Sequence, residues 1–272
     1  MSRARLLLAA VLLAAPLGAQ IPADLQRERD EFARWLSTDP TSPYAALGLH
    51  PVGSGMSIGA EPSDIPMPGV ARGIITEERG VVVLTTAGAR RVLPRERVVP
   101  LGGAYRLVVS GAPGRAVVVA FGAVRQPKPP VYYGHEAGLR LSATLEPPER
   151  RGRFRTLGLD GAETDATEAG FVTPTLPTTR PRLRVYRVGA ADDEEAPLLI
   201  FFRDSTNAHG TYPAGRFVEL IPEGGGRYLV DFNRARNPYC AYSTIFPCPA
   251  PWPGNAVPAP IPAGERYQAA TP

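Results

Sequence analysis

Hydrophobic residues fall into short runs along most of this chain, and glycine or proline breaks the runs at close intervals. The segments Val81 to Thr86, Tyr105 to Val109, Ala116 to Phe121, Leu139 to Leu145, Phe154 to Leu159, Leu183 to Val188, Leu198 to Phe202, Phe217 to Ile221 and Tyr228 to Phe232 are strand-length and rich in β-branched or aromatic residues. They predict strands, and no alternation with helical segments suggests an α/β repeat. One stretch differs. Between Ala23 and Leu36 the apolar positions Leu25, Phe32 and Trp35-Leu36 recur near helical spacing among charged residues, which predicts an amphipathic helix ending at Ser37-Thr38-Asp39-Pro40. The expected fold class is all-β: two packed antiparallel β modules, as a sandwich or partly open barrel, with one N-terminal helix.

Proline and glycine, 31 and 28 residues, also mark the organisation. Gln126-Pro127-Lys128-Pro129-Pro130 interrupts the first set of strands, and Thr173 to Pro181 separates the middle strands from the last ones. Neither is long enough for a free linker. The expected layout is a signal peptide over 1–19, a helix and connection over 20–44, an N-terminal β module over 45–130 and a C-terminal β module over 131–272. The leader follows from Arg3 and Arg5, the unbroken apolar run Leu6 to Ala15, and Ala19 before a cut at Gln20. A run of about ten residues is too short for a spanning helix, which needs about twenty. No cysteine lies at the cut to take a lipid. The mature chain is therefore expected in the periplasm or secreted, with no stable membrane anchor.

Losing Arg3 and Arg5 lowers the formal charge of +4 by two, so the mature chain is nearly balanced. Its basic residues are almost all arginine, Lys128 being the only lysine, and they interleave with Asp and Glu. No basic stripe with aromatic partners appears, so nucleic acid is not an expected partner. The compact cluster Arg150, Arg151, Arg153 and Arg155 reads as the solvated face of a hairpin, and Asp192-Asp193-Glu194-Glu195 as an exposed hairpin tip. The sequence calls for no cofactor and no metal.

The candidate chemistry concentrates in DFNRARNPYCAYSTIFPC, Asp231 to Cys248, which holds both cysteines of the chain. Polar side chains gathered at the end of an apolar strand need one another or a ligand. Side chains two apart share a strand face, so Asp231 and Asn233 are expected together, with Arg216, Arg234 or Arg236 as partners for Asp231. Cys240 and Cys248, close in sequence in an exported chain, are expected to form a disulfide. A Ser243, His209 and Asp204 triad can be drawn, but no nucleophile-elbow sequence accompanies it.

The run from Phe201 to Arg266 resembles the C-terminal signature of a bacterial and archaeal family, domain of unknown function 1684. The likeness rests on the loop DSTNAHGTYPAGRF, the block DFNRARNPYCAY, the second cysteine, the CPAP turn, and the terminal Ala263-Gly264-Glu265. Thr206 keeps the family's Asp-x-Thr spacing, while Ala250 stands where proline is usual. The family has no established reaction, so the resemblance implies positions: Asp204, Thr211, Tyr212, Arg216, Asp231, Asn233, Arg234, Asn237 and Glu265 as ligand contacts. Upstream, Gly55 to Gly59 and Asp64-Ile65 resemble the family's N-terminal segment more weakly. The same stretch, GSGMSIGAEPSDIPMPG, resembles the opening of forkhead-associated sandwiches, but Ala60 follows Gly59 and no Ser/His pair follows, so their phosphopeptide role is not carried over.

These residues admit three readings: a binding module for a small polar or anionic ligand, a hydrolase using Asp231 or Glu265 as acid or base, or a structural or envelope-interaction protein. Geometry separates them. Asp231, Arg216 and Glu265 lining one cleft would favour catalysis, and mutual burial would favour a structural lock.

Overall fold

The computed structural model describes residues 20–148, 152–159, 163–189 and 195–267. The expected leader lies outside the described residues, as do Arg150, Arg151 and Asp192 to Glu194. The chain is mostly strand with one N-terminal helix, as the hydrophobic pattern predicts.

Helix α1 (Ala23–Thr38) buries Leu25, Phe32 and Leu36, and also Arg29. The arginine stands one turn after Leu25, so it lies on the inward face. Its stem packs inside while its Nη2 donates to Asn233 O at 3.2 Å and its guanidinium lies 4.2 Å from the Tyr132 ring centre. Trp35 stays half-buried instead.

The next strands are β1 (Ala46–Pro51), β2 (Met56–Gly59), β3 (Ile65–Pro66), β4 (Gly73–Glu78), β5 (Val81–Thr86), β6 (Ala89–Leu93), β7 (Val98–Gly102), β8 (Tyr105–Ser110) and β9 (Val117–Phe121). They form two sheets, ordered β1-β9-β8-β7 and β3-β2-β4-β5-β6. Ile58, Ile75, Leu107 and Val118 are fully buried in one shared core. The hydrophobic runs reveal β5, β8 and β9 but not the other six strands. In β6, for instance, only Leu93 is buried, so no period stands out.

The C-terminal sheet contains β10 (Arg140–Thr144), β11 (Arg153–Leu157), β12 (Glu163–Val172), β13 (Leu183–Val188), β14 (Leu198–Phe202), β15 (Arg216–Gly224) and β16 (Arg227–Asp231). Its order is β10-β16-β15-β14-β13-β12-β11, all neighbours antiparallel. Thr173 to Pro181 joins β12 to β13, which pair from Val172↔Leu183 onward, so it is a loop within one sheet. Strand β12 escapes the hydrophobic reading because its buried positions are Ala166, Gly170 and Val172, two of them too small to register. Gly170 is required there. Its φ is +142°, and a Cβ would stand 2.0 Å from Glu146 O across a bulge in β12.

Both faces of this sheet are covered. Ile200, Phe202, Val218 and Val230 belong to one core with Val257 and Ile261 of the C-terminal tail, whereas Phe201 and Phe217 pack with Tyr186 and Trp252 on the other side. Double burial explains why β14 reads as a continuous apolar run rather than an alternation. It also brings the tail beside the ends of β14 and β16, where the polar signature residues lie.

Candidate functional site

The polar positions of the signature do not converge on one cleft. They divide among separate clusters, each set by where its strand ends.

The first is a buried lock. Arg216 opens β15 opposite Phe202, and its Nη2 donates to Asp204 Oδ2 at 2.7 Å with both side chains fully buried. The same nitrogen donates to Ile261 O at 2.9 Å, and Nη1 donates to Ala263 O. Asp204 Oδ1 accepts from Thr206 N at 2.7 Å and Thr206 Oγ1 at 2.5 Å, and Thr206 Oγ1 meets Thr211 Oγ1 at 2.9 Å. Burial pulls the Arg216 pKa below its ordinary value, and the Asp204 charge opposes that shift. The pair ties the tail to β15. Arg216 is therefore not the partner of Asp231, contrary to one sequence expectation.

The second cluster fastens the helix. Strand β16 gives way to a 3₁₀ turn over Phe232–Arg234, so the expected shared strand face of Asp231 and Asn233 becomes a cap. Asp231 Oδ1 accepts from Asn233 N at 3.0 Å and Asn233 Nδ2 at 2.9 Å. Arg234 Nε donates to Asp231 Oδ2 at 3.3 Å, and its other nitrogens reach Asp24 and Glu28 of α1. Asn233 also exchanges hydrogen bonds with the backbone of Glu136, at 2.8 and 2.9 Å.

Glu265 is different. It is 1% exposed, and its backbone bridges Tyr132. Oε2 accepts from Asn237 N at 2.9 Å, and Oε1 accepts from the Tyr242 hydroxyl. Burial pushes its carboxyl up to about 7, against the opposite pull of those hydrogen bonds and of the Arg236 charge. Burial likewise raises the Tyr44, Tyr132 and Tyr242 hydroxyls, and proximity to Glu265 adds to each shift. Among the described residues no cation lies within ion-pair distance of Glu265. Asn237 Nδ2 donates to Arg266 O at 3.1 Å, while its Oδ1 is buried without a protein partner.

Glu265 and Asn237 line a cavity of about 220 Å³, together with Tyr44, Tyr242, Lys128 and Arg266. Sequence reading found the two polar residues but not the tyrosines. Tyr242 stands inside the signature block, whereas Tyr44 arrives from the connection after α1 and carries no local signal. A larger cavity of about 610 Å³ lies elsewhere, beside Arg95, Arg155 and Glu163. Arg95 Nη2 there bonds Glu77 at 2.6 Å, and Arg155 Nε, buried without a hydrogen-bond partner, has the Glu163 carboxylate 3.5 Å away as its ion pair.

Tyr212 does not line the Glu265 cavity. Its hydroxyl donates to Cys240 O at 3.1 Å and lies 3.2 Å from Cys248 Sγ, while its ring packs edge-on against Tyr267, a cavity residue. Cys240 and Cys248 are separate thiols here, one buried and one exposed, so the expected bond is not formed in this structure. Burial pushes the Cys240 thiol up to about 12, and the neighbouring Cys248 adds to the shift. The drawn triad is not assembled: Asp204 is taken by Arg216 and Thr206, and His209 Nδ1 lies 3.1 Å from Asn207 O. Among the described residues no group of His, Cys, Asp or Glu could hold a metal ion, and no helix is long and apolar enough to cross a membrane.

A family model described as "Protein of unknown function (DUF1684)" matches residues 131–266. The matched span contains all the clusters above. The solution NMR structure of an uncharacterized protein from Haloarcula marismortui is similar at 28% identity, covering 53% of this chain and 79% of that one, with a TM-score of 0.46. No curated protein matches.

Proposed function

This chain belongs to the DUF1684 family of proteins of unknown function, and we propose that it is an exported protein that binds a small polar molecule in the Glu265 cavity. The observation that carries the reading is that Asn237, which lines that cavity, keeps its Oδ1 buried without a protein partner. A buried acceptor left unmade costs about 1–3 kcal/mol, which a donor on a ligand removes. The other signature residues serve this site indirectly. Arg216 holds the tail segment that ends in Glu265, and Asp231 holds the turn that precedes Asn237.

Untargeted ligand capture by the purified mature protein, read by mass spectrometry, tests the proposal. Wild type is expected to retain a small polar compound that Asn237→Ala loses, with a modest drop in melting temperature. Equal capture by both proteins, or none by wild type, overturns it. One observation favours a second reading, a hydrolase with Glu265 as its acid or base: a carboxyl raised to about 7 beside a cavity suits general acid–base catalysis. Glu265→Gln would then keep binding but release the compound chemically unchanged.

Export rests on the basic start and short apolar run, and it places the cysteines in an oxidising compartment where we propose that they pair. Closing so short a loop contributes roughly 2–3 kcal/mol by the chain-entropy argument. Mass spectrometry of protein recovered from outside the cytoplasm is expected to show a chain starting near Gln20, with neither Cys240 nor Cys248 open to alkylation. An intact leader refutes export, and two reactive thiols refute the bond.

A further inference from the structure

We infer that the Glu265 cavity takes a small amino-acid-like zwitterion, with its ammonium end toward Glu265 and Asn237 and its acidic end toward Lys128 and Arg266. This rests on the binding reading above and assigns the class of ligand. Part of the cavity lining offers acceptors. Glu265 Oε2 accepts from Asn237 N and Oε1 from the Tyr242 hydroxyl, the Asn237 side chain also lies beside the carboxyl, and its two oxygens have lone pairs beyond these. Asn237 Oδ1 adds an acceptor with no donor facing it. A head group rich in N–H donors satisfies both, and a positive one also supplies the close ion pair that Glu265 lacks among the described residues, Arg236 acting on it only from beyond ion-pair distance.

The remaining lining has the opposite sign. Lys128 and Arg266, both exposed, border the cavity, and neither takes part in an ion pair among those of the described residues. Their charge suits a carboxylate or another small acidic group at the ligand's other end. A neutral sugar would satisfy the acceptors but make no use of either charge. A dianion would bring like charge to Glu265. Size narrows the class further. About 220 Å³ has room for a molecule of amino-acid size. The ring-bearing walls, Tyr44, Tyr242 and Tyr267, shape the space between the charged ends.

The test is calorimetric titration of the mature protein with the common free amino acids, with propionate and ethylamine as alanine lacking one charge, and with glucose as a neutral control. At least one amino acid is expected to bind tenfold or more tightly than propionate, ethylamine and glucose. Lys128→Ala, an exposed change that leaves the core intact, is expected to weaken that amino acid about tenfold. Propionate, ethylamine or glucose binding as tightly as the best amino acid overturns the assignment, and an unaffected Lys128→Ala overturns the placement of the acidic end. If ligand capture returns a compound without both charges, the zwitterion falls while the cavity reading stands. If capture and titration are both silent, both readings fall.

Discussion

Replacing Arg216 with alanine is expected to lower the melting temperature by about 10–15 °C. The side chain is fully buried against an equally buried Asp204, and its removal strands that carboxylate. Breaking one partner of a buried ion pair costs about 3–5 kcal/mol, and a domain of this size loses roughly 2–4 °C per kcal/mol. The carbonyl of Ala263 loses its Arg216 donor in the same step and that of Ile261 keeps only Ala263 N, so the tail should loosen along with the core. Asp204→Ala should cost a similar amount. The double change Arg216→Met with Asp204→Leu should recover part of the loss, because no unpaired charge is left behind. Thermal melting of the variants checks this, and a shift of only a few degrees for Arg216→Ala would show that the pair does not hold the tail.

The second large effect is a pH dependence at Glu265. Its carboxyl is raised from 4.5 to about 7 in the fold, so the folded state binds the proton more tightly than the unfolded chain does. The sign follows: this group favours folding most below pH 4.5, and the advantage is lost as pH rises through about 7. A shift of that size is worth roughly 3 kcal/mol. Glu265→Gln keeps an acceptor for Asn237 N and cannot ionise. Denaturant unfolding is expected to show the glutamine variant gaining on wild type between pH 4.5 and 8, by up to roughly 3 kcal/mol. A difference that stays flat across that range would mean Glu265 ionises like an ordinary carboxylate.

The two predictions separate the roles that the signature mixes together. Arg216 and Glu265 belong to the same C-terminal region, and Arg216 donates to the carbonyl of Ala263, two residues before Glu265. Losing the lock should therefore disturb the cavity as well. Losing the Glu265 charge should leave the lock intact.

Local pattern determined a good part of this protein. The strands Val81–Thr86, Leu183–Val188 and Leu198–Phe202 stand where their apolar runs begin and end, and the helix starts at Ala23 as its spacing predicts. Such features are legible because strand and helix periods depend on near neighbours, and a run buried on both sides needs no alternation to be seen. The signature block likewise marked Asp231 and Asn233 as polar residues needing partners, and the family resemblance added Asn237 and Glu265 as candidate positions. Which partners they took was decided only in three dimensions. Arg216 found Asp204, twelve residues before it, because β14 and β15 pair there, whereas Asp231 was turned away into a cap by the 3₁₀ turn after β16. Glu265 became a raised acid because the fold buries its carboxyl completely, an effect that outweighs the hydrogen bonds from Asn237 and Tyr242. Desolvation and charge pairing depend on every group that packs nearby, whatever its separation in sequence, and so no local spacing could reveal them.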